Sequence, residues 1–90
     1  MELQNLRMEL DKIDKELAEL FEKRMEVIEN VRIVKLQNNL PILDSNREKS
    51  MKTKNEEYIK NKEFLNYYND FLTACTTISK QYMKDKSNLN

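Results

Sequence analysis

Residues 3–39 read LQNLRMELDKIDKELAELFEKRMEVIENVRIVKLQNN, and this stretch decides the fold. Its apolar residues fall at Leu3, Leu6, Leu10, Ile13, Leu17 and Leu20, then at Val27, Val31 and Val34. Steps of three and four alternate, one position is skipped, and the rhythm resumes, which is a heptad seam along one continuous helix. Nothing interrupts it before Pro41, and Asn38-Asn39 ahead of that proline reads as a C-terminal stop. The spacing predicts a helix over about 3–38, about 54 Å long at 1.5 Å per residue. A compact chain of this length has a radius of gyration of about 12 Å. So long a helix projects beyond its own domain, and its apolar seam calls for a cover. A second copy of the chain is the simplest one, with a plain coiled coil as the siteless alternative.

Composition narrows the class. Ninety residues allow one domain, 1–90, whose core is small without a staple or a partner. The single cysteine, Cys75, forbids an internal disulfide. One cysteine and no signal-like N-terminus point to the cytoplasm. No apolar run approaches the roughly 20 residues of a membrane span. Sixteen basic and sixteen acidic residues cancel, which argues against nucleic acid as a partner. With no Gly and one Pro, strand and turn signals are nearly absent and the expected class is all-α. The absence of His, with a lone Cys, disfavours a zinc site or His-based acid–base chemistry. The starting Met and polar tail suggest a free-standing chain.

Two more helices follow. Ser45-Asn46-Arg47-Glu48 has the S-x-x-E form of a capping box and opens a short, mostly exposed helix over about 45–59. A polar turn near 60–62 leads to a third helix over about 63–83. There Phe64, Tyr68, Phe71, Cys75, Ile78 and Tyr82 recur at steps of four and three and read as the core-facing stripe. Leu65, Leu72, Thr76, Ser79 and Met83 flank it. Residues 84–90 read as a fraying polar tail.

The position skipped in the long seam is Arg24. A charge there needs a partner or a ligand, because burying it bare costs several kcal/mol. Lys35, eleven residues on, points within about 20° of it, while Arg7 lies roughly 100° around the helix. In a symmetric dimer Arg7 of the partner subunit could reach the same pocket. Each cation taken singly also fits a solvated role, its stem laid on apolar surface, and Arg24 also fits a register-setting residue. Arg24 and Lys35 on one face are equally the makings of an anion site. Asp44, Arg47 and Glu48 share one side of the second helix start. They read first as a cap, with Asp44 or Ser45 capping and Glu48 completing the box, and second as a polar cluster for hydroxyls and a carboxylate.

The run Leu6-Arg7, Ile13-Asp14, Leu17, Arg24, Lys35, Pro41-Ile42, Asp44 and Arg47-Glu48 resembles the all-helical chorismate mutase family, without a gap through Glu48. Phe71-Leu72 and Ile78-Ser79-Lys80 resemble its closing helix more weakly. The resemblance spans about residues 3–83. It implies a three-helix intertwined homodimer that converts chorismate to prephenate in phenylalanine and tyrosine synthesis, with no cofactor and no metal. It also leaves room for a complex with another shikimate-pathway enzyme. By the same resemblance, Arg24 and the partner subunit's Arg7 bind two carboxylates, and Lys35 donates to the ether oxygen. Asp44 and Glu48 hold the ring hydroxyl, Arg47 supports them, and Ser79 contacts a carboxylate. In the family a Gln or Glu one turn after the Ser donates a second bond to the ether oxygen. Here that position is Met83, whose thioether cannot donate. The other register, Thr77 with Gln81, turns Asp70 inward and Ile78 outward, against the stripe; Gln81 in the first register lies about 200° from Met83. Loss of one such donor costs on the order of 10²–10³ in rate. Three readings follow: a working mutase, a mutase-like binding or regulatory dimer, and a relative of the lyase that cleaves isochorismate.

Overall fold

The computed structural model describes residues 1–88. Helix α1 (Leu3–Gln37) is followed by α2 (Ser45–Glu56), a single 3-10 turn over Lys62–Phe64, and α3 (Leu65–Asn88). Among the described residues there is no strand. The class is all-α, as the seam and the lack of Gly require. The molecule is 54 Å long and only 15 Å thin. Its radius of gyration of 16.3 Å exceeds the value for a compact chain.

The ends of α1 and α2 are set locally. Asn39 sits at φ 54, in the left-handed region that Asn tolerates better than most residues. The Leu40 amide then donates to the Lys35 carbonyl at 2.8 Å and the Asn39 amide to Leu36 at 3.3 Å, the paired bonds of a Schellman stop. Pro41 prevents resumption. The reversed chain reaches Asp44, whose carboxylate accepts from the Arg47 amide at 3.1 Å and caps α2. The expected capping box on Ser45 does not form: Ser45 is the first helical residue, and Glu48 turns its carboxylate to Lys80 of α3.

Two helix ends differ from expectation. α2 stops at Glu56 rather than near 59: the amides of Glu57, Tyr58 and Ile59 bond three residues back instead of four, and the Lys62 ammonium lies 2.8 Å from the Ile59 carbonyl and 3.5 Å from that of Glu56. α3 runs through residues 84–88, where the sequence suggested a fraying tail. Gln81 donates to Asp85 at 2.8 Å across one turn, and Lys86 lies in the last turn, where a cation suits the helix dipole. Residues 89 and 90 of that expected tail lie outside the described residues.

The burial pattern corrects the reading of α3. Leu72, Ser79 and Met83 are its buried residues, with Leu65 and Thr76 half-buried on the same face. Phe64, Phe71 and Ile78, expected in the core, are exposed in the single chain. The flanking stripe is the one that meets α1 and α2. On α1 every residue from Arg7 to Lys23 is exposed, so the seam through Leu10, Ile13, Leu17 and Leu20 is uncovered by its own chain.

Behind the cavity described below, Glu29 and Arg32 of α1 form a two-bond ion pair, with Arg32 Nε at 2.9 Å from Oε2. The bond from Arg32 outweighs the opposing cost of desolvation and holds the Glu29 carboxyl down at about 2, with a smaller contribution from the Tyr82 hydroxyl of α3. The folded pKa lies below the ordinary 4.5, so the group's contribution to stability is complete above about 4.5 and is lost as pH falls towards 2. Glu29→Gln should therefore lower the urea midpoint at neutral pH, and the gap from wild type should close over that acid range. A gap independent of pH would show that the carboxylate charge contributes nothing.

Candidate active site

One cavity of about 360 Å³ lies between the C-terminal half of α1, the start of α2 and the middle of α3. α1 supplies Arg24, Val27, Ile28, Val31 and Lys35, which recur at three- and four-residue steps and so share a face. Asp44, Arg47, Glu48, Met51 and Asn55 line it from α2 and its cap, and Thr76, Ser79, Lys80 and Met83 from α3. An apolar floor of Val and Ile thus carries cations at either end.

The polar atoms are placed by bonds between elements. Arg24 Nη1 donates to Ser79 Oγ and ties α1 to α3. Lys35 Nζ donates to the Ile42 carbonyl at 2.8 Å, so the Schellman turn also anchors the ammonium. Lys80 Nζ lies 2.5 Å from Glu48 Oε1 and joins α3 to α2. Asp44 is held by its capping bond.

The charge count is informative. Arg24, Lys35, Arg47 and Lys80 face Asp44 and Glu48, an excess of two positive charges. Among the described residues, no carboxylate lies within ion-pair distance of Arg24, Lys35 or Arg47. Cations brought together over apolar side chains and left without counter-charges suit a ligand carrying two negative charges. Among the described residues no group of carboxylates and thiols is arranged to hold a metal ion.

Of the residues singled out in the sequence, Arg24, Lys35, Asp44, Arg47, Glu48, Ser79 and Met83 line this one cavity. Gln81 does not; it is exposed and bonded to Asp85. Arg7 is exposed on the projecting half of α1, away from the chain's own cavity. Lys80, Met51, Asn55 and Thr76 line the cavity too and were not among the site residues expected from the sequence. Glu48, Met51 and Asn55 are spaced three and four apart, which marks one face of α2, but a face made of a Glu, a Met and an Asn carries no apolar signal.

The family model for chorismate mutase type II matches residues 6–84. The chain belongs to that family. The matched span takes in most of α1 and α3, all of α2 and every cavity residue, and the all-α architecture with one long N-terminal helix is the chorismate mutase fold. Among curated proteins, the T-protein of Haemophilus influenzae is 47% identical over 49 residues. That match covers 54% of this chain but only 13% of the T-protein. No solved structure matches the chain.

The cap at Asp44 has a measurable consequence for the mutase fold. Asp44→Ala should cost about 1 kcal/mol in urea unfolding, whereas Asp44→Asn should retain most of the stability because Asn caps nearly as well. Equal losses in the two variants would mean that the charge, not the capping acceptor, matters.

Proposed function

We propose that this chain is a chorismate mutase that works as an intertwined homodimer in the cytoplasm. It rearranges chorismate to prephenate for phenylalanine and tyrosine synthesis. The observation that carries the reading is the set of cations in one apolar-floored cavity with no carboxylate partners for three of them, in a chain of the chorismate mutase family.

The chemistry asks little of acids and bases. One ether C–O bond breaks as one C–C bond forms within the same molecule, so no nucleophile, cofactor or obligatory proton transfer is needed. Catalysis comes from holding the reactive conformer and from donors aimed at the charge that grows on the ether oxygen. Arg24 binds one substrate carboxylate, and Ser79, already bonded to it, fixes its direction. Arg7 of the partner subunit takes the other carboxylate. Lys35 donates to the ether oxygen, and Glu48 and Asp44 hold the ring hydroxyl with Arg47 beside them.

The homodimer is supported by the uncovered faces of the chain. Leu10, Ile13, Leu17 and Leu20 on α1, Phe64 in the 3-10 turn, and Phe71 and Ile78 on α3 are exposed in a molecule that buries very little on its own. Burial of such side chains is worth about 1.5–3 kcal/mol each. A second α1 laid along the first covers its seam and brings Arg7 of each chain to the other's cavity.

The test of activity is the loss of chorismate absorbance on adding purified protein, with the product verified as prephenate. Turnover is the expected result; neither turnover nor binding of a dicarboxylate transition-state analogue would overturn the reading. Shared sites make a second prediction. Arg7→Ala and Arg24→Ala should each be inactive. Refolded together in equal amounts, they should regain about a quarter of the wild-type sites, because half the dimers are mixed and each mixed dimer holds one intact site. No recovery would place Arg7 outside the partner's site.

A further inference from the structure

The α3 wall of the cavity presents four side chains to a ligand: Thr76, Ser79, Lys80 and Met83. Their protons can be accounted for one by one. Thr76 Oγ1 donates to the Leu72 carbonyl at 3.0 Å, and Ser79 Oγ donates to the Cys75 carbonyl at 2.9 Å. Each hydroxyl has a single proton, so neither has one left for a ligand. Met83 has none to give. Lys80 has three N–H groups and uses one on Glu48. Lys80 is thus the one α3 side chain in the cavity with free donors. It also stands three residues before Met83, the separation at which helix side chains are neighbours.

We propose that Lys80 is a catalytic residue of this site, donating to the substrate's ether oxygen from the α3 wall, where Met83 cannot. The assignment rests on the mutase reading above. Lys80 keeps one N–H on Glu48 and turns another to the ether oxygen as the C–O bond lengthens and negative charge collects there. No proton is transferred, and the ammonium enters and leaves the cycle unchanged. Glu48 gains a second role from this pairing: it holds the flexible lysine stem across the cavity, so the donor is in place before charge develops. The pair sits where α2 meets α3 and is about one-third exposed on each side. Its loss should therefore leave the fold intact.

The test is prephenate formation by four proteins: wild type, Lys80→Met, Met83→Gln and the double variant. Lys80→Met should lower kcat by about 10²–10³ while its unfolding midpoint stays near that of wild type. A glutamine at 83 supplies a donor one turn after Ser79. Met83→Gln should therefore raise the rate at least about tenfold more in the Lys80→Met background than in wild type. If Lys80 merely neutralises Glu48, no amide at 83 can restore that, and the double variant stays as slow as Lys80→Met; this outcome overturns the proposal. So does a Lys80→Met enzyme within about threefold of wild type. Should Lys80→Met fail to fold, Lys80→Ala, which likewise removes every donor at that position, is read the same way beside its own Met83→Gln double. Wild type that binds the dicarboxylate analogue without turning over chorismate overturns the Lys80 donor. Wild type that does neither removes the mutase reading itself.

Discussion

The length of α1 is the constraint on which the rest depends. Thirty-five helical residues reach about 52 Å, and the 55 residues that remain cannot wrap such a rod. α3 packs on only its C-terminal half, and the first half projects with Leu10, Ile13, Leu17 and Leu20 exposed. The consequence is a division of labour along one helix. One half carries an apolar seam that its own chain leaves uncovered, and the other is a wall of the cavity. Arg24 stands at the boundary, in the seam position where the interface pattern breaks.

Around Arg24 the polar groups satisfy one another in a way that leaves the cations free. Asp44 spends its carboxylate on the α2 cap, and Glu48 spends its own on Lys80. Arg24 and Lys35 are held by neutral oxygens, from Ser79 and Ile42. A neutral oxygen orients a cation without cancelling its charge. The site is therefore already positioned and still electropositive, which suits a ligand with two negative charges. The Schellman turn serves the same end, since the reversal at Asn39 brings both the Ile42 carbonyl and the Asp44 cap to the Lys35 end of the cavity.

The ion pair of Glu29 with Arg32, backed by Tyr82, joins α1 to α3 on the side away from the cavity. Tyr82 neighbours Met83, so this contact and the Arg24–Ser79 bond grip α3 from two sides. Together they turn the Leu72–Ser79–Met83 face inward and fix which α3 side chains the cavity meets.

Some of this was legible in the residues. A breaker-free heptad run dictates the long helix, because residues 3–37 contain no Gly or Pro to interrupt it. Asn38-Asn39-Leu40-Pro41 dictates where it ends. Arg24 and Lys35 share a face by arithmetic alone, and the family pattern gathers Asp44, Arg47, Glu48, Ser79 and Met83 with them. Other features required the tertiary structure. α3 carries two adjacent apolar stripes, and periodicity cannot choose between Phe71/Ile78 and Leu72/Met83; packing against α1 and α2 does. Nothing local tells Glu48 to prefer Lys80 to a capping bond, since the lysine arrives from 32 residues away. The free donors of Lys80 become visible only once the hydroxyls of Thr76 and Ser79 are seen bonded to their own helix. Sequence determines which side chains an element can present, because helical geometry is local. Which of them meet, and which protons remain unspent, is decided by contacts between elements.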